Sequence, residues 1–126
     1  MDSMRSIQHL GQMFKKYRFE IQEDINIEES ELSVTQQVSI YRIIQEGLLN
    51  VARHANASVV QIYCHVSNQS IHLDIKDNGS GLKQGHSFSM GLKGIESRVT
   101  NLLGSFDLLN QKNGGTILSV KIPRNS

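Results

Sequence analysis

Residues 41–55, Tyr-Arg-Ile-Ile-Gln-Glu-Gly-Leu-Leu-Asn-Val-Ala-Arg-His-Ala, constrain this chain more than any other stretch. The run reads as one helix. At roughly 100° per residue, Arg42, Glu46, Asn50, Arg53 and His54 fall on one polar stripe, and Tyr41, Ile44, Leu48, Ala52 and Ala55 fall on the opposite face. A surface helix ordinarily solubilises its polar face with Lys and Glu. Here an acid, an amide, a guanidinium and an imidazole stand in a row with little charge pairing. A carboxylate and an amide oxygen one turn apart suit hydrated Mg²⁺, which takes oxygen ligands and keeps several waters. Arg53 and His54, a further turn along, suit phosphate. Taken alone, a solvated face with the same residues explains the stripe as well.

Two other stretches carry chemistry. Ile71-His72-Leu73-Asp74-Ile75-Lys76 alternates apolar and polar, as a half-buried strand does. It runs into Asp77-Asn78-Gly79-Ser80-Gly81-Leu82. A carboxylate at a strand end can accept from an exocyclic amine, and glycines let a flat ligand approach the backbone. Asp-Asn-Gly is equally good hairpin chemistry. The third stretch is Met90-Gly91-Leu92-Lys93-Gly94-Ile95-Glu96-Ser97-Arg98-Val99. Its glycines precede a run in which Ile95, Val99 and Leu102 share a helical face. Such a lead-in leaves N–H groups free for an anion. It is neither a Walker loop nor a dinucleotide fingerprint, and an ordinary helix start is the alternative.

The rest of the chain supplies the frame. Met4 to about Tyr17 reads as a helix with Ile7, Leu10, Met13 and Phe14 on one face. Phe19 to Ile25 alternates as a strand, and Glu28 to Glu31 is an acidic link. Ser33 is placed to cap the next helix, with Gln36 as the return partner of a capping box, and Asn56-Ala57 ends that helix. Val59 to Val66 and Ile71 to Asp77 read as a hairpin around Ser67 to Ser70. Asn78 to Met90 is glycine- and serine-rich, a mobile loop. Gly91 to Leu103 is a helix broken by Gly104. Ser105 to Asn110 and Thr116 to Ile122 are strands joined by a turn over Gln111 to Gly115. The expected fold class is α+β: a two-layer sandwich with about three helices on one face of a mixed sheet of about five strands.

The 126 residues suffice for one domain, here residues 1–126, and 38% apolar composition suffices for one core. A net charge of +1 gives no pointer to nucleic acid or anionic membrane. The lone Cys64 sits in an apolar run and reads as a core residue rather than a nucleophile; with no second cysteine an internal disulfide is excluded, which fits a reducing compartment. No apolar run nears the roughly 18 residues of a membrane span. There is no signal-peptide pattern, and no histidine has zinc-ligand spacing with the cysteine.

In this order and spacing, the three stretches resemble the N, G1 and G2 boxes of the gyrase/Hsp90/histidine-kinase/MutL ATP-binding superfamily. The resemblance is to the nitrate-sensor, DesK and hexose-phosphate-sensor branch of histidine kinases. That branch reads Tyr/Phe-Arg-x-x-Gln-Glu-x-x-x-Asn-x-x-Lys/Arg-His-Ala, matched by Tyr41 to Ala55. Its Asp-x-Gly-x-Gly-Leu is Asp77 to Leu82, and its Gly-Leu-x-Gly-Met/Ile-x-x-Arg-Val/Leu is Gly91 to Val99. Its terminal Gly-Gly-Thr motif is Gly114 to Pro123. The likeness covers about residues 19 to 123.

The resemblance implies the Bergerat sandwich, with ATP and Mg²⁺ between helices and sheet and an ATP lid over residues 78–90. It implies Asn50 as a Mg²⁺ ligand. Glu46, one turn earlier, holds metal-bound water or polarises the attacking group. Arg53 and His54 face the phosphates. Asp77 accepts from the adenine amine, with Gly79, Gly81 and Leu82 forming the turn beside the base. Gly91, Leu92 and Gly94 form the phosphate side of the lid, and Thr116 supports Asp77 beneath the adenine. The implied function is delivery of the γ-phosphoryl group to a histidine on a separate dimerisation domain of the same parent kinase, with a response regulator downstream. The implied setting is a cytoplasmic domain, monomeric as a fragment, of a dimeric and membrane-bound parent, with no nucleic-acid partner.

Two departures stand out. Ser89 replaces a glycine usual in the lid, and serine enters positive φ less readily. The branch's phosphoacceptor histidine precedes an acid, whereas His9 precedes Leu10 and reads as an ordinary helix residue. Rival readings are an anti-sigma-factor-like serine kinase of the same superfamily and a degenerate nucleotide-binding scaffold. The intact Glu46, Asn50 and Asp77 speak against the scaffold.

Overall fold

A computed structural model describes residues 19–79, 88–112 and 114–124, without the side chains of 29, 54, 55 and 88–91. Strand β1 (Glu20–Asn26) leads through a 3₁₀ turn (Glu29–Glu31) to helix α1 (Val34–Asn50), which continues as a wider π-type turn (Val51–Ala55). A hairpin of β2 (Val59–Ser67) and β3 (Ser70–Asp77) follows. Helix α2 (Phe88–Asn101) crosses to a second hairpin, β4 (Ser105–Asn110) and β5 (Thr116–Pro123). The sheet order is β1-β2-β3-β5-β4. β1 and β2 are parallel, as the intervening α1 requires, and the other pairs are antiparallel. The sheet is therefore mixed and five-stranded, as expected. Among the described residues two α-helices cover it; the third expected helix, Met4 to Tyr17, lies outside them.

Local chemistry explains the boundaries. The Ser33 hydroxyl accepts from Gln36 N at 3.1 Å, and the Gln36 side chain accepts from Ser33 N at 2.9 Å, which completes the capping box. The Gln36 amide also donates to Arg124 O at 2.8 Å, tying the helix start to the end of β5. Asn56 closes α1 in the left-handed region, φ 50° and ψ 45°, which asparagine tolerates better than most residues. In the β2–β3 turn Asn68 and Gln69 both have positive φ, matching the twist that a two-residue hairpin needs.

The core lies between the layers. Strands present alternate residues inward: Val60, Ile62 and Cys64 from β2, Ile71, Leu73 and Ile75 from β3, Leu118, Val120 and Ile122 from β5. Ile40, Ile43, Ile44 and Leu48 of α1, and Ile95 and Val99 of α2, pack on them fully buried. Each such side chain contributes about 1.5–3 kcal/mol relative to exposure, so the four from α1 fix that helix's rotation. The rotation refines the expected faces. The buried arc centres on Ile40, Ile43, Gly47 and Val51, with Tyr41 and Ala52 at one margin and Asn50, 9% exposed, at the other. Cys64 is a core residue, and burial pushes its thiol from 9.0 up to about 12.

One expectation about α2 needs correction. The helix begins at Phe88, three residues before the expected start. The expected lid over 78–90 is thus two described residues, a segment outside the description, and the first residues of α2. At the other end, the residue with left-handed backbone is Leu103, φ 61°, rather than Gly104. Gly104 N donates to Val99 O at 2.9 Å, closing a Schellman-type end. Gly104 is required for space, since a Cβ there would lie 2.5 Å from Lys121 O.

Candidate functional site

Along the interior-facing row of β3, the apolar sequence Ile71, Leu73, Ile75 ends in Asp77, a carboxylate only 4% exposed. A charge in that position needs partners. Its Oδ1 accepts from Gly79 N at 2.8 Å, and its Oδ2 accepts from the Thr116 hydroxyl, itself buried at the start of β5. An ionised carboxylate has about four acceptor sites, so lone pairs remain for a ligand donor.

The surroundings hold this group rigidly. Gln111 donates through Nε2 to the Asp77 carbonyl at 2.9 Å. Asn78 accepts from Ser58 N and Val59 N, each at 2.9 Å, and donates to the Ser58 hydroxyl at 2.8 Å, pinning the strand's exit to the start of β2. Gly115 has φ +92°, and a Cβ there would come within 1.9 Å of the Asp77 carbonyl oxygen. The Gly-Gly before Thr116 therefore serves a close backbone crossing over Asp77.

Asp77 and Thr116 open into a cleft between α1, α2 and the sheet. It is lined by Gly47, Asn50, Val51, Ile75, Leu92, Leu108 and Leu118 as well. One acid with its hydroxyl partner at one end, one amide at another and aliphatic walls between them is the make-up of a site for a flat, mostly apolar group with a single donor.

The structure brings Asn50, Asp77, Leu92 and Thr116 together at this cleft, with Gly79 on the Asp77 carboxylate. Glu46 does not join its lining. Its side chain turns onto α2, where Oε1 meets Arg98 Nε at 3.3 Å and Oε2 is buried with no hydrogen-bond partner among the described residues. Gly94 sits over that oxygen: a Cβ would be 2.4 Å from Oε2. Arg53 is exposed on the π-type turn and does not line the cleft, and the backbone of His54 lies in the same turn. Gly81 and Leu82 lie outside the described residues. Gly91, Leu92 and Gly94, expected as the glycine lead-in of a helix with N–H groups free for phosphate, lie inside α2, which starts earlier, at Phe88. Helical pairing engages all N–H groups beyond the first turn.

Several contributors escaped the sequence reading. Ile75 and Leu118 are two residues from Asp77 and Thr116 on the same strand face, and Gly47 is one turn before Asn50, so periodicity alone could have found them. A Cβ on Gly47 would meet the Ile75 Cδ1 at 2.7 Å. Leu108 and Arg98 are brought in by topology and leave no local signal.

Comparison with known proteins agrees with this geometry. A family model described as "Histidine kinase-, DNA gyrase B-, and HSP90-like ATPase" matches residues 35–126. UhpB of Salmonella typhimurium (strain LT2), a signal transduction histidine-protein kinase/phosphatase, is 39% identical over 102 residues, covering 80% of this chain and 20% of that protein. The sensor histidine kinase LiaS of Bacillus subtilis (strain 168) is 32% identical over 116 residues, covering 90% of this chain and 32% of its own. The chain thus spans about a fifth to a third of these relatives. Among solved structures, the Erythrobacter litoralis EL346 blue-light activated histidine kinase superposes with TM-score 0.79 at 19% identity, over 95% of this chain and 40% of that one. The ATP binding domain of PrrB from Mycobacterium tuberculosis gives 0.71 at 20%, over 97% and 90%. At those identities the likeness shows a shared fold. With one family model covering the chain from the start of α1 to its end, the protein belongs to the histidine kinase-, DNA gyrase B- and HSP90-like ATPases.

Proposed function

We propose that the cleft binds Mg²⁺·ATP and that, within a longer sensor kinase, the domain supplies the γ-phosphoryl group to a histidine on a separate dimerisation domain, which in turn serves a response regulator. The observation that carries the reading is the buried Asp77–Thr116 pair facing an otherwise aliphatic cleft. It is an acceptor for one exocyclic amine, with Ile75, Leu108 and Leu118 as walls for the ring. Adenine offers such an amine, while guanine offers a carbonyl oxygen at the equivalent ring position and meets a carboxylate there.

The residues also fit a hard cation. Glu46 Oε2 is a buried oxygen without a partner among the described residues, and Asn50 one turn on puts its amide at the cleft; together they are the oxygen donors that Mg²⁺ prefers. Bound there, the ion would neutralise charge on the phosphates. Asn50 and Glu46 then orient the phosphate end, Asp77 orients the base, and Leu92 and Leu108 exclude water. Glu46 is also the acid–base group for the attacking imidazole, and Arg53 and His54 add positive charge beyond the cleft. The setting is the cytoplasmic part of a dimeric, membrane-bound parent; among the described residues no helix is long and apolar enough to cross a membrane.

Calorimetry of this chain with Mg²⁺·ADP and Mg²⁺·GDP tests the reading. ADP is expected to bind at least about tenfold more tightly, the size of one hydrogen bond to a charged group. No binding, or equal binding of the two, refutes it.

A further inference from the structure

Glu46 stands one turn before Asn50 on α1, yet only Asn50 reaches the cleft. Helix α2 accounts for the difference. Gly94 has no Cβ and so leaves a hollow that takes the Glu46 carboxylate; Arg98, one turn further along the same face, grips the other oxygen at 3.3 Å. The arrangement is half satisfied. Oε1 has its cation, and Oε2 is out of water with no partner among the described residues. A buried, unpaired carboxylate oxygen destabilises the position it occupies. The ion pair that retains it is only partly shielded, with side-chain exposures of 38% for Arg98 and 26% for Glu46.

Resting on the nucleotide-binding reading above, we propose that Arg98 is a positioning residue which holds Glu46 turned onto α2 and away from the cleft, and that the metal–nucleotide must draw the carboxylate off Arg98 to complete its site. The opposing terms are close in size. Arg98 contributes one screened, partly exposed ion pair. The unsatisfied Oε2 favours any state in which it gains a metal-bound water or a cation. Gly94 matters for a geometric reason: a side chain there would occupy the place of the carboxylate, so the sequestered state exists only because this helix residue is glycine. Ile95 and Val99, buried on either side of Arg98 in sequence, anchor that part of α2 in the core. Release therefore consists of Glu46 swinging away from a fixed Arg98. Because this ion pair is one of the contacts that join the two helices, Mg²⁺ at Glu46 and the Glu46–Arg98 contact oppose each other by linkage.

The test uses the full chain. Arg98→Met keeps the long stem and removes every donor. Titrated with ADP in Mg²⁺, it is expected to bind about two- to fivefold more tightly than wild type, the fold-change that loss of a partly exposed ion pair gives. In EDTA, its ADP affinity should equal that of wild type. Combined with Glu46→Gln, the Arg98→Met change should have no further effect on Mg²⁺·ADP affinity, because the competition it removes no longer exists. Hydrogen exchange in the nucleotide-free, metal-free protein gives a readout independent of the ligand: amides of Leu92 to Ile95 should exchange faster in Arg98→Met. Arg98→Lys, which keeps a cation, should fall between the two and guards against a fold defect. Equal or weaker Mg²⁺·ADP binding by Arg98→Met, or equal tightening without the metal, overturns the proposal. Wild type that binds no ADP at all would instead sink the nucleotide reading itself.

Discussion

Replacing Asp77 by asparagine separates the role of the charge from the role of the shape. In the native site Oδ1 accepts from a backbone N–H of fixed direction, that of Gly79, while Oδ2 accepts from a hydroxyl that can rotate, that of Thr116. An asparagine must therefore keep its carbonyl oxygen on Gly79 and turn its amide toward Thr116, whose oxygen can accept instead. Both internal contacts survive, but they change from charge-assisted to neutral. Charge-assisted bonds contribute about 1.5–3 kcal/mol and neutral ones about 0.5–1.5. With two such bonds the fold should then lose about 2–3 kcal/mol, a drop of roughly 6–15 °C in melting temperature for a domain of this size. The ligand faces a larger change, because the oxygen that would accept from the adenine amine is now an N–H₂. Loss of that bond weakens ADP binding roughly ten- to a hundredfold. The same N–H₂ can donate to the guanine carbonyl, so the ADP-over-GDP preference should shrink or vanish. Calorimetry with both nucleotides at a temperature well below the variant's melting point is the assay. A folded variant with wild-type ADP affinity, or with both nucleotides weakened equally, would remove Asp77 from base recognition.

Three other perturbations address separate parts of the molecule. Asn50→Ala should weaken ADP binding in Mg²⁺ and leave it nearly unchanged in EDTA; the same loss under both conditions would make Asn50 a structural residue. Leu103→Gly relieves a left-handed backbone at a side chain that is 74% exposed; with about 1–2 kcal/mol of relief and roughly 0.4–1 kcal/mol lost to unfolded-state freedom, a gain of about 0.5–1 kcal/mol is expected in urea unfolding. Cys64 should resist iodoacetamide at pH 8 in the folded protein and react readily in denaturant. Its pKa is raised on folding, so this group leaves stability unaffected below about pH 9 and lowers it as pH climbs toward 12; labelling at equal rates in both states would contradict its burial.

The parts of the fold legible in the sequence are those set by short-range rules. The strands could be read because one sheet face is buried and the other is not, so Ile71, Leu73 and Ile75 alternate with His72, Asp74 and Lys76. The limits of α1 could be read because Ser33, Gln36 and Asn56 act on their own neighbours. The start of α2 could not. Because glycine destabilises a helix interior, Gly91 looks like a helix's first residue, and Phe88 to Met90 ahead of it look like loop. Gly94 is nonetheless helical, and what requires it there is Glu46, 48 positions earlier on another helix. The same holds for the site. Asp77 and Thr116 are polar residues where a strand's alternation calls for apolar ones, and Asn50 stands on a polar stripe with little charge pairing, which makes them visible. Leu108 is an ordinary strand leucine and joins the cleft only because β5 inserts between β3 and β4.

That insertion also divides the site into halves of unequal stiffness. On the sheet side, Asp77 is fixed by Gly79, Thr116 and, through its carbonyl, Gln111, with Asn78 holding the strand's exit and Gly115 crossing above. Moving Asp77 means breaking at once the buried bond from Thr116 and the part-buried ones from Gly79 and Gln111, and a buried bond left unmade costs about 1–3 kcal/mol. On the helical side, α2 is anchored by Ile95, Val99 and Leu102, all beyond its second turn. Ahead of that anchor, Leu92 lines the cleft. Under the proposed nucleotide reading, base selection falls to the sheet side, and adaptation to the phosphates and metal to the helical side. A substitution that stiffens the first turns of α2 should accordingly slow nucleotide association while leaving the ADP-over-GDP preference intact, whereas changes at Asp77 or Thr116 should alter the preference.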